Sequence, residues 1–100
     1  MRKVVLEVIK ISVDACVYLR QEERKEKGCK QLSDEVIRRQ YEKTINNLNY
    51  KDGLYRATRD SFGGVRNGKW VQWDIPELKE RLEKAGFSWE EDKPQEAIYV

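Results

Sequence analysis

Lys3-Val4-Val5-Leu6-Glu7-Val8-Ile9-Lys10-Ile11-Ser12-Val13-Asp14-Ala15-Cys16 admits two readings, and the choice between them decides the fold. The β-branched residues Val4, Val5, Val8, Ile9, Ile11 and Val13 suit a strand, since they are stiff at χ1 and pack well on a pleated surface. The polar residues suit a helix. Lys3, Glu7, Lys10, Asp14 and Gln21 step by 4, 3, 4 and 7, which follows one helical face and breaks the two-residue parity of a strand. That spacing predicts a helix from Arg2 to Lys27, stopped near Gly28. Val5, Leu6, Ile9, Val13, Cys16, Val17 and Leu19 form its wide apolar arc, and Arg20 to Lys30 form a solvated, mixed-charge end.

A second helix is predicted to begin at Ser33. The serine is a good N-cap, Asp34 and Glu35 place negative charge at the positive end of the helix dipole, and Leu32 and Ile37 stand at the spacing of a hydrophobic staple. Ile37, Tyr41, Ile45 and Leu48 make its apolar stripe, and Asp52-Gly53 marks a turn. Residues 1–50 are therefore expected to form a helical hairpin. Beyond it, Leu54 to Arg59 and Lys69 to Ile75 read as paired strands joined by a glycine-rich loop. Pro76 opens a third helix with Leu78, Leu82 and Ala85 on one side, and Gly86 stops it. Two further strands, Phe87 to Glu90 and Ala97 to Val100, are expected around an acidic turn containing Pro94. The expected fold is α+β in a single domain of residues 1–100. Its helical hairpin (1–50) is followed by a β-β-α-β-β antiparallel unit (51–100).

The stretch Ile75-Pro76-Glu77-Leu78-Lys79-Glu80-Arg81-Leu82-Glu83-Lys84-Ala85-Gly86-Phe87-Ser88-Trp89, with Ala97-Ile98-Tyr99 behind it, resembles a small module that recurs in phage and mobile-element proteins. The module runs helix, Gly-Phe-x-Trp, turn, aromatic-ended strand. Its last strand usually carries a Trp-Tyr pair where this chain has Ile98-Tyr99. The resemblance covers about the last quarter of the chain. It implies a compact βαββ packing unit and a mobile-element origin, and it transfers no functional residue.

Composition narrows the chemistry. Among 100 residues, 20 Lys and Arg face 18 Asp and Glu, and there is no histidine. Without histidine there is no Ser-His-Asp or Cys-His catalysis and no usual zinc site, so neither an enzymatic activity nor a metal or cofactor is expected. Cys16 lies in an apolar pattern and reads as a small buried hydrophobe; Cys29 gives no sign of a disulfide framework. Met1-Arg2-Lys3 and the apolar run behind it are interrupted by Glu7, Lys10 and Asp14, unlike a secretory signal, and no segment is apolar enough to span a bilayer, so a cytoplasmic protein is expected. The charge is uneven: residues 74–100 carry eight acids against four bases, whereas residues 51–73 carry five bases against two acids.

Gly63 to Lys69 matches the opening of G-x-x-x-x-G-K, but Trp70 and a strand follow where a P-loop needs Ser or Thr and a helix. Glu77-Leu78-Lys79 begins a helix rather than lying on a strand beside a metal, which argues against a carboxylate nuclease. The informative pattern lies in Lys69 to Ile75. Alternation sends Val71, Trp73 and Ile75 to the core and Trp70 to the polar side, beside Arg66 and Lys69. With Tyr55, Arg56 and Arg59 on the partner strand, Tyr55, Arg56, Arg59, Arg66, Lys69 and Trp70 form a candidate ligand-binding surface. Aromatic and basic residues together suit base stacking and phosphate contact, and equally a protein-interface hot spot. The sequence thus points to a small binding protein recognising nucleic acid or a phosphorylated nucleotide. The alternative is a protein-binding inhibitor or adaptor of the anti-defence kind using the same hairpin. Dimerisation is expected through the first helix, and no membrane partner. A winged-helix variant is disfavoured because acids balance Arg38, Arg39 and Lys43 on the second helix.

Overall fold

A computed structural model describes residues 2–99. The opening stretch is a strand and a helix joined at Ser12, not one helix: β1 spans Arg2–Ile11 and α1 spans Val13–Glu26. Ser12 is the N-cap, its hydroxyl accepting from the Ala15 N–H at 3.2 Å, a contact worth about 1 kcal/mol. The helical spacing of the polar residues is a coincidence of two elements. Lys3 and Glu7 lie on one face of β1, Lys10 lies on the other, and Asp14 belongs to α1. Because β1 is central, Val8 and Ile9 are both fully buried although they point to opposite faces, so no two-residue alternation is visible there.

The remaining elements are α2 (Asp34–Asn47), β2 (Tyr55–Ala57), β3 (Gly63–Arg66), β4 (Lys69–Gln72), α3 (Ile75–Lys84) and β5 (Glu90–Tyr99). The α+β class stands, but the helical hairpin over residues 1–50 does not, because a strand comes first. α2 begins as its sequence requires, with Ser33 capping the Val36 N–H, and buries Ile37, Tyr41 and Ile45, while Leu48 stays exposed. α3 has Asp74 as N-cap, Pro76 in its first turn and Gly86 beyond its end at φ +83°. Leu78 and Leu82 are buried, and Ala85 is exposed.

Strand pairing departs further from expectation. The segments around residues 55 and 70 do not pair with each other. β2 pairs with β1 (Ile9 with Ala57, Ile11 with Tyr55), and β4 pairs with β3, whose residues had read as loop. The result is a three-stranded antiparallel sheet ordered β2-β1-β5 and a separate β3-β4 hairpin. After Gly86 a single long strand replaces the two short ones. β5 runs along β1, Lys3 opposite Ile98 and Lys10 opposite Glu90. The expected turn at Pro94 is a bulge. Leu6 faces Gln95 and Val8 faces Asp92, so Lys93 and Pro94 together oppose Glu7. A bulge on an edge strand is a place where proline's missing N–H costs no ladder bond. The expected strand end at Val100 lies outside the described residues.

The core gathers Ile9 and Ile11 from β1, Cys16 and Leu19 from α1, Ile37 and Tyr41 from α2, and Leu78 and Leu82 from α3, around Phe62 and Trp73. Phe62 and Trp73 flank the hairpin, and the Trp73 backbone N–H donates to the Phe62 carbonyl at 2.9 Å. This contact closes the base of β3-β4 and anchors it in the core. Both cysteines are free, Cys16 buried and Cys29 exposed.

Candidate functional site

The β3-β4 hairpin turns at Asn67-Gly68, both at positive φ (53° and 74°), the geometry of a two-residue turn that matches strand twist. Val65 pairs with Trp70 and Gly63 with Gln72, so these four share one face. Trp70 lies across β3: a Cβ on Gly63 would stand 2.6 Å from its ring. The indole is nevertheless 48% exposed, and Val65 beside it is 38% exposed.

The position of Trp70 is fixed from α1. Lys27 Nζ stands 4.0 Å from the Trp70 ring centroid, and Lys27 is itself held by Glu23 at 3.2 Å. Glu23 is buried, yet fully matched: one oxygen accepts from Arg20 at 2.8 Å and from Lys27, and the other accepts from the Gly63 N–H at 3.4 Å. Arg20 also donates to the Tyr41 hydroxyl at 2.7 Å and lies over the Tyr41 and Phe62 rings. Burial pushes the Tyr41 hydroxyl well above its ordinary range, so it is present as the neutral acceptor Arg20 needs.

The opposite face of the hairpin is tied down. Gly64 leaves room for the Glu26 carboxylate against the strand backbone. Arg66 Nη2 contacts both oxygens of Glu77 (2.8 and 2.9 Å). Glu77 is shared with Arg81, which reaches Glu26 at 2.9 Å and lies 3.8 Å from the centroid of the buried Trp73. A groove of about 670 Å³ beside this network is lined by Glu22, Asp74, Glu77 and Glu80 as well as Arg66 and Arg81. An anion there would meet those carboxylates.

The six residues expected to form one surface are divided. Arg66, Lys69 and Trp70 are on the β3-β4 hairpin, and Tyr55 and Arg56 are on β2 in the other sheet. Arg59 follows β2, close to Asp60 at 3.7 Å. Tyr55 is a packing residue, its ring set edge-on to Tyr41 (5.2 Å) and Phe62 (6.3 Å). Arg56 crosses β1 to reach Asp92 at 2.6 Å and the Lys93 carbonyl at 3.2 Å. The Lys93 N–H and then Arg56 hold the Asp92 carboxyl below its ordinary range. Lys69 and Trp70 are exposed. Sequence reasoning missed Val65, assigned to a loop, and Lys27, assigned to a solvated helix end. The i, i+4 spacing of Glu23 and Lys27 was the available signal for the latter.

The Glu23 carboxylate is committed to three donors, and loss of water raises the Cys16 thiol to about 12, far from a reactive thiolate. Among the described residues no cluster of His, Cys, Asp or Glu is arranged to hold a metal ion, and no helix is long and apolar enough to cross a membrane. No family model, curated protein or solved structure matches the chain.

Proposed function

We propose that this is a small binding module that recognises another protein through the Trp70 face of the β3-β4 hairpin. The partner this face fits has an apolar pocket for the indole and for Val65 beside it. The observation that carries the reading is the contrast in availability. Trp70 is 48% exposed beside Val65, while Arg56 and Arg66, the groups that would grip phosphates, are engaged by Asp92 and Glu77. A large exposed aromatic is the type of side chain that dominates interface energetics. The resemblance of residues 75–100 to the phage and mobile-element module supports an accessory role of that origin, as an inhibitor or adaptor.

Recognition of nucleic acid or a phosphorylated nucleotide is the second reading, favoured by an exposed ring on which a base could stack and by the exposed Lys69 at the hairpin turn. The two readings part on salt. A protein partner retained by the immobilised chain stays bound when salt rises from about 50 to about 500 mM and is lost on Trp70→Ala but not on Arg56→Ala. Polyanion binding falls steeply over that range because phosphate neutralisation releases counterions. Binding of DNA, RNA or nucleotides at low salt that vanishes at high salt would replace the first reading with the second.

A further inference from the structure

The two edges of the β2-β1-β5 sheet are built differently. β5 is broken by the bulge at Lys93-Pro94 and carries Glu90, Glu91, Asp92 and Glu96, the kind of charge, bend and proline that discourage strand addition. On the other side, β2 covers β1 only at Ile9, Lys10 and Ile11, and the chain then leaves in a turn closed by the Ser61 N–H on the Thr58 carbonyl at 3.0 Å. Along Arg2 to Glu7, β1 therefore has β5 on one side and no partner strand on the other among the described residues. This open edge contains Val4, Val5 and Leu6, without proline or glycine. Val5 on this strand is 68% exposed, and Ile98 on β5, opposite Lys3, is 63% exposed.

We infer that this edge pairs with the same edge of a second copy, antiparallel about a two-fold axis through Val5. The sequence is self-complementary in that register. Lys3 of each copy stands opposite Glu7 of the other, Val4 opposite Leu6, and Val5 opposite Val5. Lys3, Val5 and Glu7 share one face of β1, so both ion pairs flank the apolar contact on the same side of the joined sheet. A slip of one residue would place Lys3 opposite an apolar residue and lose both pairs, so the charges fix the register as well as the partner. Such an isologous pairing closes on itself and makes one continuous sheet from two copies, running β5-β1-β1-β5 across the joint. It is a different contact from the dimer expected through the first helix, of which residues 2–11 form a strand and 13–26 a helix. It uses none of the hairpin residues, so it stands or falls separately from the proposed function.

Sedimentation of the full chain over a concentration series, with circular dichroism and thermal melts as controls for folding, tests the proposal. The wild-type chain forms dimers. Within one copy Lys3 and Glu7 make only solvent-accessible pairs, with Glu96 (3.2 Å) and Lys79 (3.4 Å), which contribute little. Lys3→Glu and Glu7→Lys each turn both intermolecular pairs repulsive and weaken dimerisation about tenfold, whereas the double swap restores it to within about twofold. Trp70→Ala leaves it unchanged. In a Cys29→Ser background, Val5→Cys crosslinks to a disulfide dimer under mild oxidation, because directly opposed strand residues lie at disulfide spacing. A chain that stays monomeric, single swaps without effect, failure of the folded double swap to recover, or absence of the crosslink would each overturn it.

Discussion

Trp70 and Trp73 stand three positions apart, each with a cation over its ring and each cation held by a carboxylate of α1. For Trp73 the cation is Arg81, 3.8 Å from the ring centroid, and the carboxylate is Glu26. For Trp70 the cation is Lys27 at 4.0 Å, and the carboxylate is Glu23. The local chemistry is nearly the same, but Trp73 is 0% exposed and Trp70 is 48% exposed. Alternation along the segment sends one ring into the core and leaves the other against a single helix end. A contact pattern therefore does not separate a structural aromatic from an available one; the burial around it does. A cation over a ring contributes about 0.5–1 kcal/mol at an exposed site and about 2 kcal/mol when desolvated, small beside the area a buried indole removes from water.

The strongest way to break the comparison is Trp73→Ala. It opens a cavity between Phe62, α1 and α3 and removes the ring under Arg81, and it is expected to cost about 3–5 kcal/mol in urea denaturation, a large part of the stability of a domain of this size. Glu23→Ala comes next. It leaves Arg20 and Lys27 without their shared carboxylate and Gly63 without its acceptor. Both cations are about a third exposed, which discounts the loss to about 1–3 kcal/mol by the same measurement. Trp70→Ala is the smallest, a change of at most about 1 kcal/mol in stability. If Trp70→Ala destabilised the fold as much as Trp73→Ala, Trp70 would be a packing residue and the proposed interface would lose its anchor.

Much of the fold is legible where one residue has one job. Ser33, Asp34 and Glu35 announce α2, Pro76 and Gly86 bracket α3, and the alternation from Lys69 to Trp73 assigns both tryptophans to their faces. β1 was obscured because a central strand covered on both faces at Val8 and Ile9 loses its parity. A short strand running into a helix at Ser12 can then imitate a longer helical period. β5 was obscured because its acids and Pro94 read as a turn in isolation. Its cross-strand pairs Lys3–Glu96 (3.2 Å) and Lys10–Glu90 (3.6 Å) show that those acids answer the bases of β1, a relation between distant segments that no local window contains. The candidate site divided for the same reason. Nothing local to Leu54–Arg59 says that its partner is β1 rather than the strand at Lys69. Trp70 was legible from local alternation, whereas Lys27 depends on where α1 ends relative to the hairpin.

The antiparallel run of β1 beside β5 also sets an order of events. α1, α2 and the hairpin can form as the chain leaves the ribosome, because their partners lie close in sequence. The β1–β5 ladder joins Lys3 to Ile98, so its closure requires the longest loop in the described chain and a correspondingly large entropy loss. Val4, Val5 and Leu6 are thus made early and lack their β5 partners until residues 90–99 have been synthesised.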